Sequence, residues 1–363
     1  MIITDVIIHR LVSPVTRRYR NCVSEWIEAR PAILVEVLTD NGLTGWGEPV
    51  AEPSRVSIEA HVIGRSPFDY EVIYDRLSEK ESPASACGIE MALWDLMGKH
   101  LEMPVWQLLG GANRDRVPAY ASGFFNREGL DHVADVVDEV KRCVDEGFGA
   151  VKLRTGFGRD LDEQIVSGTR ETIGQDGGLA IDVNTGYDID TAIEVGKALV
   201  DYDLLWYEEP IAGDDADNYL KVKNSLPMRI SGAEILCGLK SFREIIQRKA
   251  LDIIQPDISR AGGFTEGRRI SALAAANDVR VLPHMFGSVV RLTATLQWIA
   301  TLPEPSPDDS LPVYLELDVM ENRLRTDLAH TSFELEDGQM PIPDRPGLGV
   351  EIDRTALERF ATN

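Results

Sequence analysis

The chain has 363 residues, 44% of them hydrophobic, and a formal net charge of −23 at pH 7. This length and apolar content are enough for a large domain plus a smaller one, which excludes an intrinsically disordered protein. The strong negative charge argues against nucleic acid or an anionic membrane surface as a partner, because both repel an acidic protein.

The sequence lacks the usual signals of membrane and secreted proteins. No apolar run approaches the length that a membrane-spanning helix needs. Residues 1–12 alternate apolar and polar side chains as a strand does, without the basic segment and cleavage site of a signal peptide. We therefore expect a cytoplasmic protein. Its scattered cysteines favour free thiols over disulfides; they are Cys22, Cys87, Cys143 and Cys237.

Lysine is scarce among the basic residues. Only nine lysines are present, and none follows Lys249. An acidic, lysine-poor surface has two explanations that the sequence leaves open. The carboxylates keep an ordinary protein soluble through mutual repulsion, or they adapt a halophilic protein to high salt, where counterions screen them.

The N-terminal part predicts an antiparallel sheet followed by helices. Residues 1–12, 29–40 and 43–49 read as strands, and Asn41-Gly42 between the last two is a hairpin signal. Residues 88–101 have apolar side chains at three- and four-residue steps, which predicts a helix.

From residue 117 onward, strand and helix patterns alternate. Eight short apolar runs predict strands, most of them separated by about 20 residues of helical pattern. These runs are 117–124, 150–156, 178–184, 204–210, 229–235, 251–259, 279–286 and 313–319. Eight such units favour a closed (β/α) barrel over an open sheet. The segment after residue 320 is too short for another unit, and we expect it to pack on the first domain.

Three carboxylates recur at a fixed interval in this alternating part. Asp182, Glu208 and Glu234 are spaced 26 residues apart, and each ends a predicted strand. The spacing brings them to one rim of a parallel barrel, where a hard divalent cation would offset their repulsion. Without histidine or cysteine in the set, Mg²⁺ or Mn²⁺ is favoured over zinc. A single such carboxylate is more often a helix cap or a solvated charge, but the equal spacing favours a metal site.

Charged residues also end the neighbouring predicted strands. Asp257 and His284 are 27 residues apart, and we expect the aspartate to orient the histidine as a general base. Alone, His284 would more often be a buried core residue. Lys152 and Arg154 lie on one side of their strand, where cations beside a carboxylate cluster more often bind a substrate carboxylate than remain as rim charges.

The last predicted strand carries Glu316, although Asp318 points the same way and could take its place. A substrate carboxylate held between Lys152 and the metal would have an acidified α-proton. The developing enediolate charge would be stabilised by the metal and by Glu316 as a neutral acid. Asn184, two residues after Asp182, is expected to contact the substrate.

The motifs that carry these residues resemble the enolase superfamily, specifically the mandelate racemase subgroup, over nearly the whole chain. They are LTGWGE (43–48), ALWDLMGK (92–99), AVKLR (150–154), IDVN (181–184), WYEEP (206–210), GAE (232–234), QPD (255–257), PH (283–284), LEL (315–317) and IPDRPGLGVEID (342–353). Residues 151–158 and 282–300 are most similar to the branch of sugar-acid dehydratases and galactarolactone cycloisomerase-like enzymes. The resemblance implies a modified TIM barrel, (β/α)7β, at 116–320. It also implies an α+β capping domain at 1–115, completed by the tail 321–363.

The resemblance implies roles for the predicted site residues. The Mg²⁺ ligands would be Asp182, Glu208 and Glu234, the dyad Asp257 with His284, and the hydrogen-bond donor to the enediolate Glu316. One position departs from the family pattern, Lys-x-Lys at the second barrel strand, whose second lysine acts as a base. Here that position is Arg154, and a guanidinium with a pKa of about 13 stays protonated at neutral pH. This favours chemistry run mainly by His284 over a two-base racemase.

We therefore expect an Mg²⁺-dependent enzyme that removes the α-proton of a sugar acid or its lactone and then expels a β-oxygen. It would be a dehydratase if water leaves, which family resemblance favours, or a cycloisomerase if a ring or lactone oxygen leaves. A racemase or epimerase of a 2-hydroxy acid is the alternative. A non-catalytic metal-dependent binding protein is less favoured, because it needs no general base. We also expect a homo-oligomer.

The capping domain of this fold closes over the barrel, so the loop 17–26 is expected to contact the distal end of the substrate. Its arginines, including Arg20, would suit a second carboxylate or several hydroxyls, and Trp26 would lie beside them. A mobile polar loop without contact to the substrate is an equally supported alternative.

Overall fold

The computed structural model describes residues 1–306 and 308–362. The capping region contains β1 (Ile3–Arg20), β2 (Ile27–Thr39), β3 (Thr44–Gly47), α1 (Arg55–His61), α2 (Tyr70–Lys80), α3 (Pro83–Leu101) and α4 (Val105–Leu108). The barrel region contains β4 (Arg116–Ser122), β5 (Asn126–Arg127), α5 (His132–Asp145), β6 (Ala150–Arg154), α6 (Arg159–Ile173), β7 (Gly178–Asp182), α7 (Ile189–Ala198), β8 (Tyr207–Glu208), α8 (Ala216–Lys223), β9 (Ile230–Gly232), α9 (Gly238–Gln247), β10 (Ile253–Ile254), α10 (Ile258–Ala261), α11 (Gly263–Ala276), β11 (Arg280–Val281), α12 (Val289–Thr301) and β12 (Leu315–Asp318). The tail contains α13 (Arg323–Thr326), β13 (Gln339–Pro341) and α14 (Arg354–Phe360).

The capping region is built on an antiparallel sheet with the strand order β3-β2-β1-β5. The predicted Asn-Gly hairpin is present. Gly42 has a φ of 84°, a conformation that residues with a side chain rarely adopt. Strand β1 is longer than predicted, because it continues to Arg20 and pairs there with Asn126 of β5. The expected loop 17–26 is therefore strand in its first part, and only 21–26 connects β1 to β2.

Helix α3 packs against β3 with almost no space between the backbones. A Cβ atom on Gly47 would lie 1.9 Å from the carbonyl oxygen of Gly88, so neither strand nor helix tolerates a side chain at this contact. The helix begins at Pro83, earlier than the predicted 88–101, and Ser82 caps it by accepting from the backbone N–H of Ser85. Its long buried face joins the capping region to the barrel region.

Eight parallel strands form the curled sheet of the barrel region, in the order β11-β10-β9-β8-β7-β6-β4-β12. At least one helix follows each strand from β4 to β11. The predicted (β/α)7β arrangement is confirmed. Apolar side chains from the strands and the surrounding helices fill the interior in one continuous core.

The hydrogen-bonded ladder does not close into a full circle. Within the described residues, β12 pairs with β4 but not with β11, so the expected closed barrel is open between its seventh and eighth strands. Two features explain the gap. Strand β11 is followed within two residues by Pro283, which has no N–H to donate. The N–H of Met285, two residues further on, donates instead to the Glu316 side chain of β12 at 3.1 Å.

The tail contacts both regions. Strand β13 pairs antiparallel with β4, whereas α14 lies on β1, where the N–H of Thr362 donates to the carbonyl of Arg10 at 2.8 Å. Arg354 at the start of α14 forms an ion pair with Glu36 of β2. Within residues 1–306 and 308–362, no helix is long and apolar enough to cross a membrane.

Candidate active site

The three equally spaced carboxylates meet at the carboxyl ends of adjacent parallel strands. Asp182 is the last residue of β7, Glu208 is the last residue of β8, and Glu234 follows β9 by two residues. One oxygen atom from each lies within 4.8 Å of the others. Asp182 and Glu208 are fully buried, so their charges strongly oppose one another unless a cation lies between them.

Glu208 accepts hydrogen bonds from three different side chains. Its Oε1 accepts from Lys152 Nζ at 2.5 Å, and its Oε2 accepts from Trp206 Nε1 at 2.9 Å and from Gln255 Nε2 at 2.6 Å. Burial raises the pKa of Glu208 to about 8; Lys152 opposes the shift and the neighbouring Asp182 adds to it. Sequence patterns did not identify Trp206 or Gln255 as contacts of this carboxylate.

Glu234 keeps one oxygen atom without a hydrogen bond. Its buried Oε2 has no partner with hydrogen-bond geometry among the described residues, although His284 Nε2 lies 3.4 Å away. A distance of 3.4 Å without hydrogen-bond geometry does not satisfy a buried oxygen. Three converging carboxylates with one unsatisfied oxygen fit a hard divalent cation with oxygen ligands.

Lys152 lies in the interior of the barrel region, between the carboxylates of opposite strands. Its Nζ is 2.5 Å from Glu208 Oε1, 2.8 Å from Glu316 Oε1 and 3.7 Å from Asp182 Oδ2. Burial lowers the pKa of this ammonium, but the surrounding carboxylates outweigh burial and raise it well above its usual value. Lys152 is therefore a fixed positive charge at neutral pH.

Arg154 is on the same strand face as Lys152 and nearer the mouth. Its Nη1 donates to Asp182 Oδ2 and, at 3.3 Å, to Asn184 Oδ1. The guanidinium carbon lies 4.8 Å from the centre of the Phe125 ring, a cation–π contact. Burial opposes the charge, yet Asp182 and nearby carboxylates keep the pKa of Arg154 above its already high value. That charge disfavours a general base at this position, as the sequence predicts.

Glu316 differs from the neutral acid expected from the sequence. Its Oε1 accepts from Ser122 Oγ at 2.6 Å and faces Lys152, and its Oε2 accepts from the N–H of Met285. Burial raises the pKa of Glu316, but the positive charges of Lys152, His284 and Arg154 outweigh it and lower the pKa to about 2. In this arrangement the group is an ionised acceptor and has no proton to donate.

Asp318 does not compete with Glu316 for this position. Its Oδ2 accepts from Arg30 Nη2 of β2 at 2.8 Å, and its Oδ1 accepts from the N–H of Met320 at 2.9 Å. Arg30 is buried and also donates to the hydroxyl of Tyr19 at 2.9 Å. Asp318 therefore joins the capping region to the end of β12, whereas Glu316 forms the ion pair with Lys152.

The predicted dyad is assembled. His284 Nδ1 is 2.8 Å from Asp257 Oδ2, and Asp257 Oδ1 accepts from the N–H of Ser259 at 2.7 Å as the cap of α10. Burial alone would raise the pKa of Asp257, but Arg291 and His284 hold it below its usual value. Burial lowers the pKa of His284, whereas Glu234 and the other nearby carboxylates raise it to about 10.

Arg20 and Trp26 contact each other from opposite ends of the connection between β1 and β2. The guanidinium carbon of exposed Arg20 is 4.8 Å from the centre of the Trp26 ring. Between them, Cys22 Sγ donates to the carbonyl of Val183 at 2.9 Å, which holds the connection 21–26 against the barrel beside Asp182. The structure therefore brings this segment to the rim.

Two family models together match most of the chain. Residues 10–110 match the family model "Mandelate racemase / muconate lactonizing enzyme, N-terminal domain", and residues 135–356 match "Enolase C-terminal domain-like". D-galactarolactone cycloisomerase of Agrobacterium fabrum is 35% identical, over 98% of this chain and 97% of that protein. Arabinonate dehydratase of Saccharolobus solfataricus is 29% identical, over 90% of each.

Solved structures are similar to this chain over its whole length. The crystal structure of 3,6-anhydro-D-galactonate cycloisomerase from Zobellia galactanivorans superimposes with a TM-score of 0.88, at 29% identity and over 100% of both chains. A member of the enolase superfamily from Polaromonas sp. JS666 also has a TM-score of 0.88, at 29% identity. The resemblance predicted from the motifs is confirmed, as is the modified barrel with a separate antiparallel N-terminal domain. The chain is therefore an enzyme of the enolase superfamily and belongs to its mandelate racemase/muconate lactonizing enzyme family.

Proposed function

We propose that the chain is an Mg²⁺-dependent enzyme that removes the α-proton of a sugar acid or its lactone and then expels a β-oxygen. The strongest support is the position of His284, whose Nε2 lies 3.4 Å from Glu234 of the carboxylate triad. A base beside a metal site can act on a proton next to a carboxylate held at that site. The sugar-acid activities named for the relatives from Agrobacterium fabrum and Saccharolobus solfataricus support the same chemistry.

The proposed metal ligands are Asp182, Glu208 and Glu234. Mg²⁺ bound there, with Mn²⁺ as a substitute, would polarise a substrate carboxylate and stabilise negative charge on it. Asn184 Nδ2 donates to Asp182 Oδ2 at 3.1 Å, so it orients that ligand. We assign it this role together with the substrate contact expected from the sequence.

His284 is the proposed base, and Asp257 is its orienting partner. The C–H bond breaks, its electron pair moves into the carboxylate to form an enediolate, and Nε2 of His284 takes the proton. Neutral imidazole is required for this step. If a bound cation neutralises the charge of Glu234, the pKa of His284 falls from the high value set by the carboxylates. The imidazole can then be neutral and accept a proton.

Lys152 and Arg154 face the enediolate as permanent cations. Both are buried and ion-paired with carboxylates of the site. We propose that they stabilise the developing negative charge and orient the substrate carboxylate. Glu316 holds Lys152 in place and donates a hydrogen bond only if substrate binding first protonates it.

Collapse of the enediolate breaks the C–O bond at the β-carbon, and the leaving oxygen takes the electron pair and a proton from His284. Departure of a hydroxyl gives a dehydrated product, whereas departure of a ring or lactone oxygen gives an isomer of the substrate. We favour the cycloisomerase outcome over the dehydratase, because the relative with 35% identity is a cycloisomerase and the dehydratase is 29% identical.

The capping region completes the proposed site. We propose a capping domain at residues 1–115 and 321–363 and a barrel at 116–320. Arg20 and Trp26, held together at the rim, would contact the distal end of the substrate.

The test is a panel of aldonic and aldaric acids and their lactones, followed by NMR in D₂O with Mg²⁺. We expect one or a few to be converted with loss of the α-proton, and His284→Asn to be slower by at least about 100-fold, the usual contribution of a general base. Deuterium in recovered substrate of inverted configuration would identify an epimerase instead. If a sugar acid or lactone binds but its α-proton does not exchange, the chain is a non-catalytic binding protein.

A further inference from the structure

Arg291 connects the dyad to the capping region. It lies in the first turn of α12 and is buried, and its guanidinium is between two carboxylates from different regions. Nη1 donates to Asp257 Oδ2 at 3.1 Å, and Nη2 is 3.0 Å from Oε1 of Glu48, the residue that follows β3. Asp257 Oδ2 therefore has two partners, Arg291 on one side and His284 on the other.

Glu48 has further contacts that a simple ion pair would not need. It accepts from the backbone N–H groups of Ser288 and Arg291, each at 3.2 Å, and from the Ser288 hydroxyl. These groups form the N-terminus of the 13-residue helix α12, where a carboxylate is favoured by unpaired N–H groups and the helix dipole. Glu48 thus fixes the end of the loop that carries His284.

The backbone of that loop approaches the ion pair closely. A Cβ atom on Gly287 would lie 2.5 Å from Nε of Arg291 and 2.7 Å from Oε1 of Glu48. The carbonyl of Gly287 accepts from Asn322 Nδ2 at 2.9 Å, so the loop cannot easily move away. Glycine at this position is what allows Arg291 to contact both carboxylates.

We propose that Arg291, held by Glu48, is a positioning residue for the Asp257–His284 dyad. Arg291 fixes the Asp257 carboxylate so that Oδ2 points at Nδ1 of His284, and the capping region must be docked for this alignment to form. The inference rests on the proposed function, in which the dyad moves the α-proton. The competing explanation is that the ion pair only ties the two regions together.

The first test removes the guanidinium. Arg291→Met keeps the length of the side chain, and Arg291→Lys keeps its charge but cannot reach both carboxylates with a planar fork. We expect kcat to fall about 10- to 100-fold in both, as for other groups that orient a catalytic residue, with KM and the Kd for Mn²⁺ changed less than about threefold. Solvent deuterium exchange at the α-carbon should fall with kcat.

The matched control is Glu90→Gln. Glu90 of α3 also joins the capping region to the barrel region and is buried, but it accepts from Phe264 and Thr265 of α11, and none of its hydrogen bonds among the described residues involves Asp257, His284 or Arg291. It should lower the unfolding temperature and leave kcat of the folded enzyme within about twofold, because it changes no contact of the dyad.

A second pair of variants leaves every charge in place. Gly287→Ala should displace Arg291 from Asp257 and reduce kcat as Arg291→Met does. Gly149→Ala is its control, because a Cβ on Gly149 meets nothing within 4 Å and its φ is not positive. Gly149→Ala should leave kcat unchanged.

The outcomes separate this inference from the proposed function. If His284→Asn is inactive while folded Arg291→Met, Arg291→Lys and Gly287→Ala keep wild-type kcat and lose only thermal stability, Arg291 is a tie between regions and the inference is wrong. If His284→Asn turns substrate over as fast as the wild type, the proposed function fails instead.

Discussion

Nε2 of His284 lies 3.4 Å from Oε2 of Glu234, so the predicted base is next to one of the predicted metal ligands. Glu234 is also the first of the charges that raise the pKa of His284 against the effect of burial. A change at Glu234 should therefore affect both metal binding and proton transfer. A change at Asp182 should affect metal binding without acting directly on the His284 imidazole, since within residues 1–306 and 308–362 Asp182 has no contact with it.

The first prediction concerns the metal. Glu234→Gln, Glu208→Gln and Asp182→Asn should each weaken Mn²⁺ binding by more than about 100-fold, since even residues that only orient a ligand account for 10- to 100-fold. Calorimetry with Mn²⁺ and Mg²⁺ measures this directly. Activity lost in EDTA should return with either ion. Undiminished turnover in excess EDTA would contradict the metal site.

The second prediction separates the roles of His284 and Arg154. His284→Asn should stop exchange of the α-proton with D₂O, because it removes the proposed base while Arg154 is kept protonated by its carboxylate neighbours. Arg154→Lys should retain exchange within about tenfold of the wild type and mainly raise KM, because a lysine keeps the charge and loses the planar contacts to Asp182 and Asn184.

Asp257→Asn should also be strongly impaired, because the imidazolium loses its charged partner and the control of its tautomer. Exchange measured by NMR on recovered substrate reports all of these variants. The assignment would be reversed if His284→Asn exchanged the α-proton at near the wild-type rate while Lys152→Ala did not.

The sequence predicted the parts of the site that follow from periodicity. Strands of equal spacing place their carboxyl ends on one rim, so the sequence alone predicts that Asp182, Glu208 and Glu234 meet. The same reasoning placed His284 beside Asp257. Both expectations depend only on the order of strands and helices along the chain.

Contacts between the two regions could not be predicted in this way. Glu48 and Arg291 are separated by 243 residues and meet only because the capping region docks on α12. No local pattern marks Arg291 as a contact of Asp257, or Glu48 as the partner of Arg291. They depend on the relative position of two regions, which has no periodic signal in the chain.

The charge of Glu316 was another limit of sequence reasoning. The family resemblance implied a hydrogen-bond donor, but protonation depends on the distances to Lys152 and Arg154, which strand spacing does not give. The open ladder between β11 and β12 likewise follows from Pro283 and from the side chain of Glu316 rather than from the strand pattern.

The third prediction follows from the net charge of −23. Unfolding temperature at pH 7 should rise as KCl is raised towards molar concentrations, because screening reduces repulsion among the excess carboxylates. The rise should be smaller at pH 5, where part of these groups is protonated. Scanning calorimetry at both pH values measures the effect. A flat or falling midpoint at pH 7 would mean that the acidity only keeps the protein soluble.

The last prediction uses the contact between the tail and β2. Glu36 is buried; its Oε2 is 2.9 Å from His9 Nε2, and its two oxygens accept from Arg354 at 2.8 and 2.5 Å. Burial raises the pKa of Glu36, but these hydrogen bonds and charges outweigh it and lower the pKa to about 2 from its ordinary value of 4.5. The stabilisation is therefore complete above about pH 4.5 and is lost as the pH falls towards 2.

Glu36→Gln should lower the free energy of unfolding at pH 6 by about 1–3 kcal/mol, the usual cost of losing hydrogen bonds to a buried charged group. The difference from the wild type should shrink at pH 4 and further at pH 3, because Glu36 takes up a proton in the unfolded chain below its ordinary pKa of 4.5 while the folded protein keeps it ionised down to about pH 2. Urea titrations at each pH measure it. Glu59→Gln is the control, since its ion pair with Arg55 is exposed and should contribute little at any pH. A difference that stays constant from pH 6 to pH 3 would show that the ionised Glu36 does not hold the tail on β2.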